Sequence, residues 1–345
     1  MKRRSFLKTI GTGIAGFGAG SSLLPSVVKG KTKLAHQGAI TTRGTEVIYY
    51  NAAVEKPLKI ILAADTHLWR NDERGDPYRQ YSDRMAAAYN QTRHFETGEL
   101  TNPEECLENT LRLAVEEEAD LIALPGDLFS WPSEAAIEWA LEKLNGVDIP
   151  YIYTSGNHDW HYEGMEGTLE ELRETWINKR LLSFYHGNDP MMAAYDLKGI
   201  RILTIDDSTY QISDEQLAFF RDQVKSGMPL ILMMHIPLYA PGRTVGYGCG
   251  HPDWGAATDR IYELERRPRW PVGGHTKTTF NFYREVLNAP NLLGVFAGHI
   301  HRPSMEYVNG IPQFVADDNA SGAYLNISLK PLEDRDSELM RSYNL

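Results

Sequence analysis

The chain has 345 residues, 42% hydrophobic and 23% charged, with a formal net charge of −11. This length and apolar content allow one large α/β domain or two modest ones, and the sequence carries no internal repeat or low-complexity tract. The first 29 residues hold five cations (Lys2, Arg3, Arg4, Lys8 and Lys29) and no acid, so the remainder is more acidic than the total suggests. An acidic body argues against general nucleic-acid binding and against adhesion to an anionic membrane, and it admits an anionic substrate only where something locally positive, such as metal ions, receives it.

The opening Met1-Lys2-Arg3-Arg4-Ser5-Phe6-Leu7-Lys8 resembles a twin-arginine export signal. The stretch after it, Ile10 to Val28, is only mildly apolar and rich in Gly and Ser. A membrane anchor needs about 20 strongly apolar residues, so no stable anchor is expected. Residues 1–35 therefore read as signal peptide and linker. They imply the twin-arginine translocase as a partner and a periplasmic or extracellular destination. The two cysteines, Cys106 and Cys249, allow one disulfide in an oxidising compartment, but two cysteines so far apart are more often unpaired and buried.

Residues 30–44 read as a polar linker, and Glu46 to Tyr50 as a short β segment whose partner is not readable. The first firm strand, Leu58 to Ala64, ends at Asp65-Thr66-His67. Residues two apart at a strand's end project to the same side. An oxygen and nitrogen donor pair suits zinc, iron or manganese. Taken alone, the pair is equally an ordinary surface turn. Residues 68–100 form a long insertion rich in Arg, Tyr and His, partly helical near Arg84 to His94. It is either a surface excursion or a lid leaving directly from the Asp65/His67 pair.

Asn102-Pro103-Glu104-Glu105 opens a helix, with Asn as cap, Pro at the first position and Glu105 completing a capping-box pattern. The chain returns through a buried strand, Leu121 to Leu124, to Pro125-Gly126-Asp127. A strand–helix–strand unit implies a right-handed parallel crossover, which sets Asp127 on the same sheet edge as Asp65. A second helix, Ser133 to Leu144, leads to the apolar run Pro150 to Thr154 and then Ser155-Gly156-Asn157-His158-Asp159. Asn offers a metal a neutral oxygen, and His offers a proton near neutral pH.

A helix near Leu169 to Asn178 and a strand, Arg201 to Ile205, follow. The strand ends in Asp206-Asp207, two acids that are candidate ligands but fit a capped turn better. Leu230 to Met234 ends at His235, and Leu292 to Ala297 at Gly298-His299-Ile300-His301. Between them, Pro237 to Lys277 is loop-rich. The tail segments Met305 to Val308, Gln313 to Val315 and Ala323 to Ile327 read as short antiparallel strands around the Asn309-Gly310 hairpin signal.

In this order the motifs resemble the calcineurin-like metallophosphoesterases, whose pattern is D-x-H, G-D, G-N-H-D/E, a lone His and G-H-x-H. Here these are Asp65/His67, Gly126-Asp127, Gly156 to Asp159, His235 and Gly298-His299/His301, spanning residues 58–301. Each motif alone is weak, but five in order, each after an apolar strand, are specific. The resemblance implies an α/β fold of the α+β type: a four-layer sandwich of two mixed β-sheets flanked by helices. It would occupy one domain, 45–330, with insertions at 68–100 and 237–290.

The resemblance further implies two divalent or trivalent ions (Mn, Fe or Zn). One would take Asp65, His67, Asp127 and His301; the other Asp127, Asn157, His235 and His299. A bridging hydroxide would attack the phosphorus of a mono- or diester, His158 would protonate the leaving oxygen, and Asp159 would hold the His158 ring. The family's iron-tyrosinate branch places Tyr where Ser130 stands and Gly where His67 stands, so a purple centre is not expected. Selectivity for a small ester then falls to the loops, with Asn157, Arg70, Arg243, Tyr247, His251, His275 and Lys277 as candidate substrate contacts. The alternative is a non-catalytic metal-binding or scaffolding protein on the same fold.

Overall fold

The computed structural model describes residues 37–88, 93–243 and 274–333, with backbone alone at 84, 87 and 88. Its first sheet contains β1 (Gly38–Arg43), β2 (Glu46–Asn51), β3 (Leu58–Leu62), β4 (Leu121–Pro125), β5 (Tyr151–Thr154) and β12 (Leu325–Pro331) in the order β1-β2-β12-β3-β4-β5. The second contains β6 (Met192–Leu197), β7 (Ile200–Ile205), β8 (Leu230–Met233), β9 (Leu292–Ala297), β10 (Ser304–Val308) and β11 (Ile311–Val315) in the order β10-β11-β9-β8-β7-β6. Both sheets are mixed. β3, β4 and β5 run parallel, as do β7, β8 and β9, while β12 runs antiparallel to β3 and β6 antiparallel to β7.

Side-chain alternation along the strands sets the layers. Ile60 and Leu62 face inward to pack with Ile202, Ile231, Met233 and Phe296 of the opposite sheet. Ile61 faces outward with Ile122 and Leu124, onto Leu107, Leu111, Ala140 and Leu144. Those belong to α2 (Pro103–Glu116) and α3 (Glu134–Gly146), which with α4 (Leu169–Trp176) cover the first sheet. On the far side α5 (Asp214–Lys225) and α6 (Lys277–Val286) cover the second sheet through Leu217, Phe220, Phe282 and Val286. The parallel strands are thus buried on both faces, which is why they read as unbroken apolar runs. The result is the four-layer sandwich expected from the motifs.

The helix starts follow capping chemistry. Asn102 accepts the N–H of Glu105 at 3.0 Å, and Ser133, Thr168 and Ser213 accept theirs three residues on. α5 had no sequence reading, although Ser213 and Gln216 form a full capping box, and α6 falls within the 237–290 insertion. Two expectations about the sheets are corrected. Residues 38–43 are not linker but an edge strand paired antiparallel with β2; almost no residue of β1 is covered, so it carries no apolar pattern. The last strand does not join the β10–β11 hairpin. It crosses to the first sheet and lies between β2 and β3, parallel to one and antiparallel to the other.

The described part of the 68–100 insertion is fastened to the body. A 3₁₀ turn, Glu73–Tyr78, runs into α1 (Arg79–Ala88). Tyr78 stacks on Tyr162 with centroids 5.0 Å apart and meets Trp176 edge-on at 5.3 Å. The guanidinium of Arg180 lies over both Tyr78 and Trp176.

Between the sheets, the Tyr49 ring packs against Phe296 and Phe314 at 6.4 and 6.0 Å. Its hydroxyl is buried without a hydrogen-bond partner among the described residues, and burial pushes its ionisation well above the ordinary range. A lone buried hydroxyl costs about 1–3 kcal/mol. Tyr49→Phe should therefore raise unfolding stability by about 1 kcal/mol in urea titrations. A loss of similar size would mean that the hydroxyl has a partner worth keeping.

Candidate dinuclear metal centre

The chemistry gathers where the carboxyl ends of β3, β4 and β5 meet those of β8 and β9. Two donor groups lie there: Asp65, His67 and His301, and Asp127, His235 and His299, the donor atoms of each group all within 4.8 Å of one another. In the first, the Nε2 atoms of His67 and His301 are 3.0 Å apart, and His301 Nε2 is 3.4 Å from Asp65 Oδ1. In the second, His235 Nε2 lies 3.2 Å from Asp127 Oδ2, 3.1 Å from Asn157 Oδ1 and 3.2 Å from His299 Nδ1. Asp127 Oδ2 also lies 4.0 Å from His67 Nε2, so one carboxylate oxygen faces both groups.

The main chain makes this density possible. Asp65, His67, Asp127, His299 and His301 all have φ between 47° and 74°, the left-handed region that non-glycine residues seldom occupy. They leave their strands in tight turns, not in strand alternation as the two-apart spacing suggested. The carboxylates are tied by their second oxygens. Asp65 Oδ2 accepts the N–H of His299 at 2.7 Å, and Asp127 Oδ1 that of His158 at 2.7 Å. A Cβ on Gly298 would run into the Asp65 carboxylate, and one on Gly126 would sit 2.6 Å from the His235 ring. The motif glycines are therefore clearances for donor side chains.

These residues fit a pair of cations. Asp65 Oδ1 is buried and accepts no hydrogen bond among the described residues. His235 Nδ1 donates to the carbonyl of Pro125 at 2.9 Å, which leaves the Nε2 lone pair facing Asp127 and Asn157. Mixed oxygen and imidazole sets suit manganese, iron and zinc. Burial alone would lower the His235 and His301 imidazoles, but the carboxylates around them prevail. Asp127 above all holds His235 at about 10, and Asp65 holds His301 at about 9. Protons thus occupy positions that suit a metal.

The other sequence candidates separate. Asn157 joins the second group. The Asp159 oxygens accept the N–H groups of Asp127, Phe129 and Gly156 at 2.9, 2.8 and 2.7 Å, so Asp159 clasps the two strand-end loops. Burial, and then the neighbouring Asp127, push its carboxyl up to about 7. Arg70 turns to Glu104 at 3.4 Å and over the Trp139 ring, on the outer face of α2 and α3. Arg243 is buried against Glu306, with contacts of 2.7 and 2.8 Å. Both arginines are engaged structurally, because acids distant in sequence meet them in the fold. His275 Nδ1 donates to the Tyr210 carbonyl at 2.8 Å, and Lys277 is exposed at the start of α6. Tyr247, His251 and Cys249 lie outside the described residues.

Sequence reasoning missed Tyr210, whose hydroxyl is 2.5 Å from His299 Nε2, and read Asp207 as a ligand or turn cap, whereas its Oδ1 accepts the N–H groups of His235 and Ile236 at 3.2 and 3.1 Å. The Asp pair at 206–207 was the available signal. Nothing marked Tyr210.

Comparison with known proteins agrees with this architecture. The calcineurin-like phosphoesterase family description matches residues 58–303. A probable cyclic nucleotide phosphodiesterase of Rhodococcus erythropolis is 25% identical over 197 residues, covering 55% of this chain and 52% of that protein, so the chain spans about half the length of the curated relative it matches. A dimetal phosphatase from Danio rerio superposes with a TM-score of 0.47 at 12% identity, over 77% of this chain and 91% of the other. A purple acid phosphatase from yellow lupin, Lupinus luteus, gives 0.45 at 14%, over 81% and 48%. The fold and the family define a metallophosphoesterase. The chain belongs to the calcineurin-like phosphoesterase family.

The raised histidines give a pH dependence. A folded pKa of about 9–10 against an ordinary value of about 6.5 adds stability to the metal-free fold, complete below pH 6.5 and lost as pH rises through 9–10. Protein stripped with a chelator should unfold at lower urea at pH 10 than at pH 7. The same protons compete with cations, so its apparent Mn²⁺ affinity should climb between pH 7 and 9, with proton release seen in calorimetry. A stripped protein that is more stable at pH 10 would contradict this assignment.

Proposed function

We propose that the protein hydrolyses a small phosphate mono- or diester at a dinuclear metal centre. Asp65, His67, Asp127 and His301 would hold one ion, and Asp127, Asn157, His235 and His299 the other. The single observation that carries this reading is the Asp127 oxygen facing both histidine groups. Two bound ions of manganese, iron or zinc supply Lewis acidity and lower the pKa of a coordinated water. The protein's part is to hold the donors rigid, to exclude carbon substituents from the strand ends through its glycines, and to supply a proton.

The surroundings of His158 support that last duty. Its N–H is anchored on Asp127 Oδ1, and its ring stands edge-on to His67 with centroids 5.0 Å apart, beside the donor groups and in neither of them. It protonates the leaving oxygen, which a phosphoryl transfer without a covalent enzyme intermediate requires for poor leaving groups. The relative described as a probable cyclic nucleotide phosphodiesterase favours including cyclic diesters among the substrates. We further infer that residues 45–330, together with β1 (Gly38–Arg43) and the end of β12, form one domain whose insertions at 68–100 and 237–290 select the ester. The non-catalytic reading keeps the same donors without turnover. A screen of phosphomonoesters and phosphodiesters on manganese-loaded protein decides between them.

His158→Ala should leave metal content near that of the wild type and lower kcat by roughly 10²–10⁴-fold, less for esters with good leaving groups. Loss of both ions from this variant would make His158 a ligand and sink the assignment.

We also propose export through the twin-arginine translocase to the periplasm or beyond, supported by Arg3-Arg4-Ser5-Phe6-Leu7-Lys8. Such a signal is read as an address, so Arg3→Lys with Arg4→Lys should retain the protein in the cytoplasm although charge is kept. Cell fractionation showing normal export of the double variant would refute it.

A further inference from the structure

One short turn touches both histidines of the second donor group. The turn leaves β7 at Asp206 and closes with the N–H of Tyr210 on the Asp207 carbonyl at 2.7 Å. From it, Asp207 Oδ1 reaches across to the main-chain N–H groups of His235 and Ile236, at the end of β8. Tyr210 reaches in the other direction, to His299 beyond β9, with its hydroxyl 2.5 Å from Nε2 and the rings edge-on at 5.4 Å. Tyr210 is buried and has a φ of 58°. A bulky residue in that region is strained, and the surroundings must hold it there. His275, donating to the Tyr210 carbonyl, is part of that hold.

The ring geometry gives the turn a chemical role. His299 presents Nδ1 to its group, 3.2 Å from His235 Nε2, whereas His67, His301 and His235 all present Nε2. A neutral imidazole has one lone-pair nitrogen, and its hydrogen sits on the other. For His299 to bind through Nδ1, the hydrogen must be on Nε2, and the Tyr210 oxygen is the atom placed to accept it. His235 meets the same requirement in the opposite sense, through Nδ1–H and the Pro125 carbonyl.

We propose that the Asp207–Tyr210 turn is the positioning element of the second metal site: Tyr210 fixes the tautomer and ring angle of His299, and Asp207 fixes the main chain that carries His235. The proposal rests on the dinuclear reading above. Partners of this kind typically contribute about 10–100-fold in metal affinity. The effect should fall on one ion only, since the described contacts of the turn reach His235 and His299 and not the Asp65 group.

The test uses zinc, which is diamagnetic, on chelator-stripped full-length protein. In the wild type, long-range ¹H–¹⁵N spectra of histidine-labelled zinc protein should show three ligands bound through Nε2 and one through Nδ1. Tyr210→Phe keeps the ring and removes only the oxygen. By calorimetry it should bind one zinc about 10–100-fold more weakly and the other within about twofold, with the melting temperature of the stripped form unchanged. The Nδ1-bound signal should broaden or vanish. Asp207→Asn, whose amide oxygen still accepts both N–H groups, should hold both ions within a few-fold, and Asp207→Ala should weaken the second. Two zincs bound by Tyr210→Phe as tightly as by the wild type, or a wild-type spectrum with no Nδ1-bound histidine, overturns the positioning role and leaves the dinuclear centre standing. A wild type that takes up no second zinc removes the dinuclear reading and this proposal with it.

Discussion

The structure depends on carboxylates that accept main-chain N–H groups from neighbouring strand ends. Asp159 takes three, Asp127 takes one from His158, and Asp65 takes one from His299 in the opposite sheet. Hydrogen bonds to charged groups contribute about 1.5–3 kcal/mol each, and here they also offset part of the cost of burying the charge. In Asp65 and Asp127 the bond fixes one oxygen and aims the other. The Asp65 bond has the further effect of locking the first sheet's edge to the second's, so the two halves of the donor set are registered by a donor side chain itself. That contact needs Gly298 without a side chain, just as the approach of β4 to β5 needs Gly126 and Gly156.

Around this contact the fold supplies rigidity. Five donor residues sit in left-handed backbone conformations, each costing of order 1–3 kcal/mol. Three apolar clusters, between the sheets and on both outer faces, carry the opposing free energy. The strained residues are all at strand ends, where the ladder hydrogen bonds of β3, β4 and β9 stop and the chain is free to turn. The order of strengths runs outward to inward: packed helices hold the sheets, the sheets hold the loops, and the loops hold the imidazoles.

Much of this was legible in the sequence, for reasons that differ by element. Strands buried on both faces announce themselves as apolar runs, and the polar residues just after them, Asp65 to His67, Asp127, Asn157, His235 and His299 to His301, are the ones the structure brings together. β1 was invisible because an edge strand with exposed faces has no pattern. The destination of β12 was invisible because its alternation fits either sheet, and only pairing chooses. The clasp that Asp159 makes on three main-chain N–H groups was invisible because Asp127 and Phe129 lie about 30 positions away. Arg70 and Arg243 resembled anion-binding side chains, but Glu104 and Glu306, distant in sequence, already engage them. Tyr210 carries no motif: its partner His299 lies 89 positions away.

The placement of β12 has a consequence for biosynthesis. This strand is the last in the described chain, yet it fills the middle of the first sheet, between β2 and β3. While the polypeptide emerges from the ribosome, β3 therefore keeps one flank of unpaired amides and carbonyls, even after β4 and β5 have docked on the other. An open flank of this kind is a template for pairing with a neighbouring nascent chain. Asp65 sits at the end of that same strand, so its surroundings cannot be completed stepwise during translation. The first sheet therefore closes only once β12 has followed β9, β10 and β11 out of the ribosome.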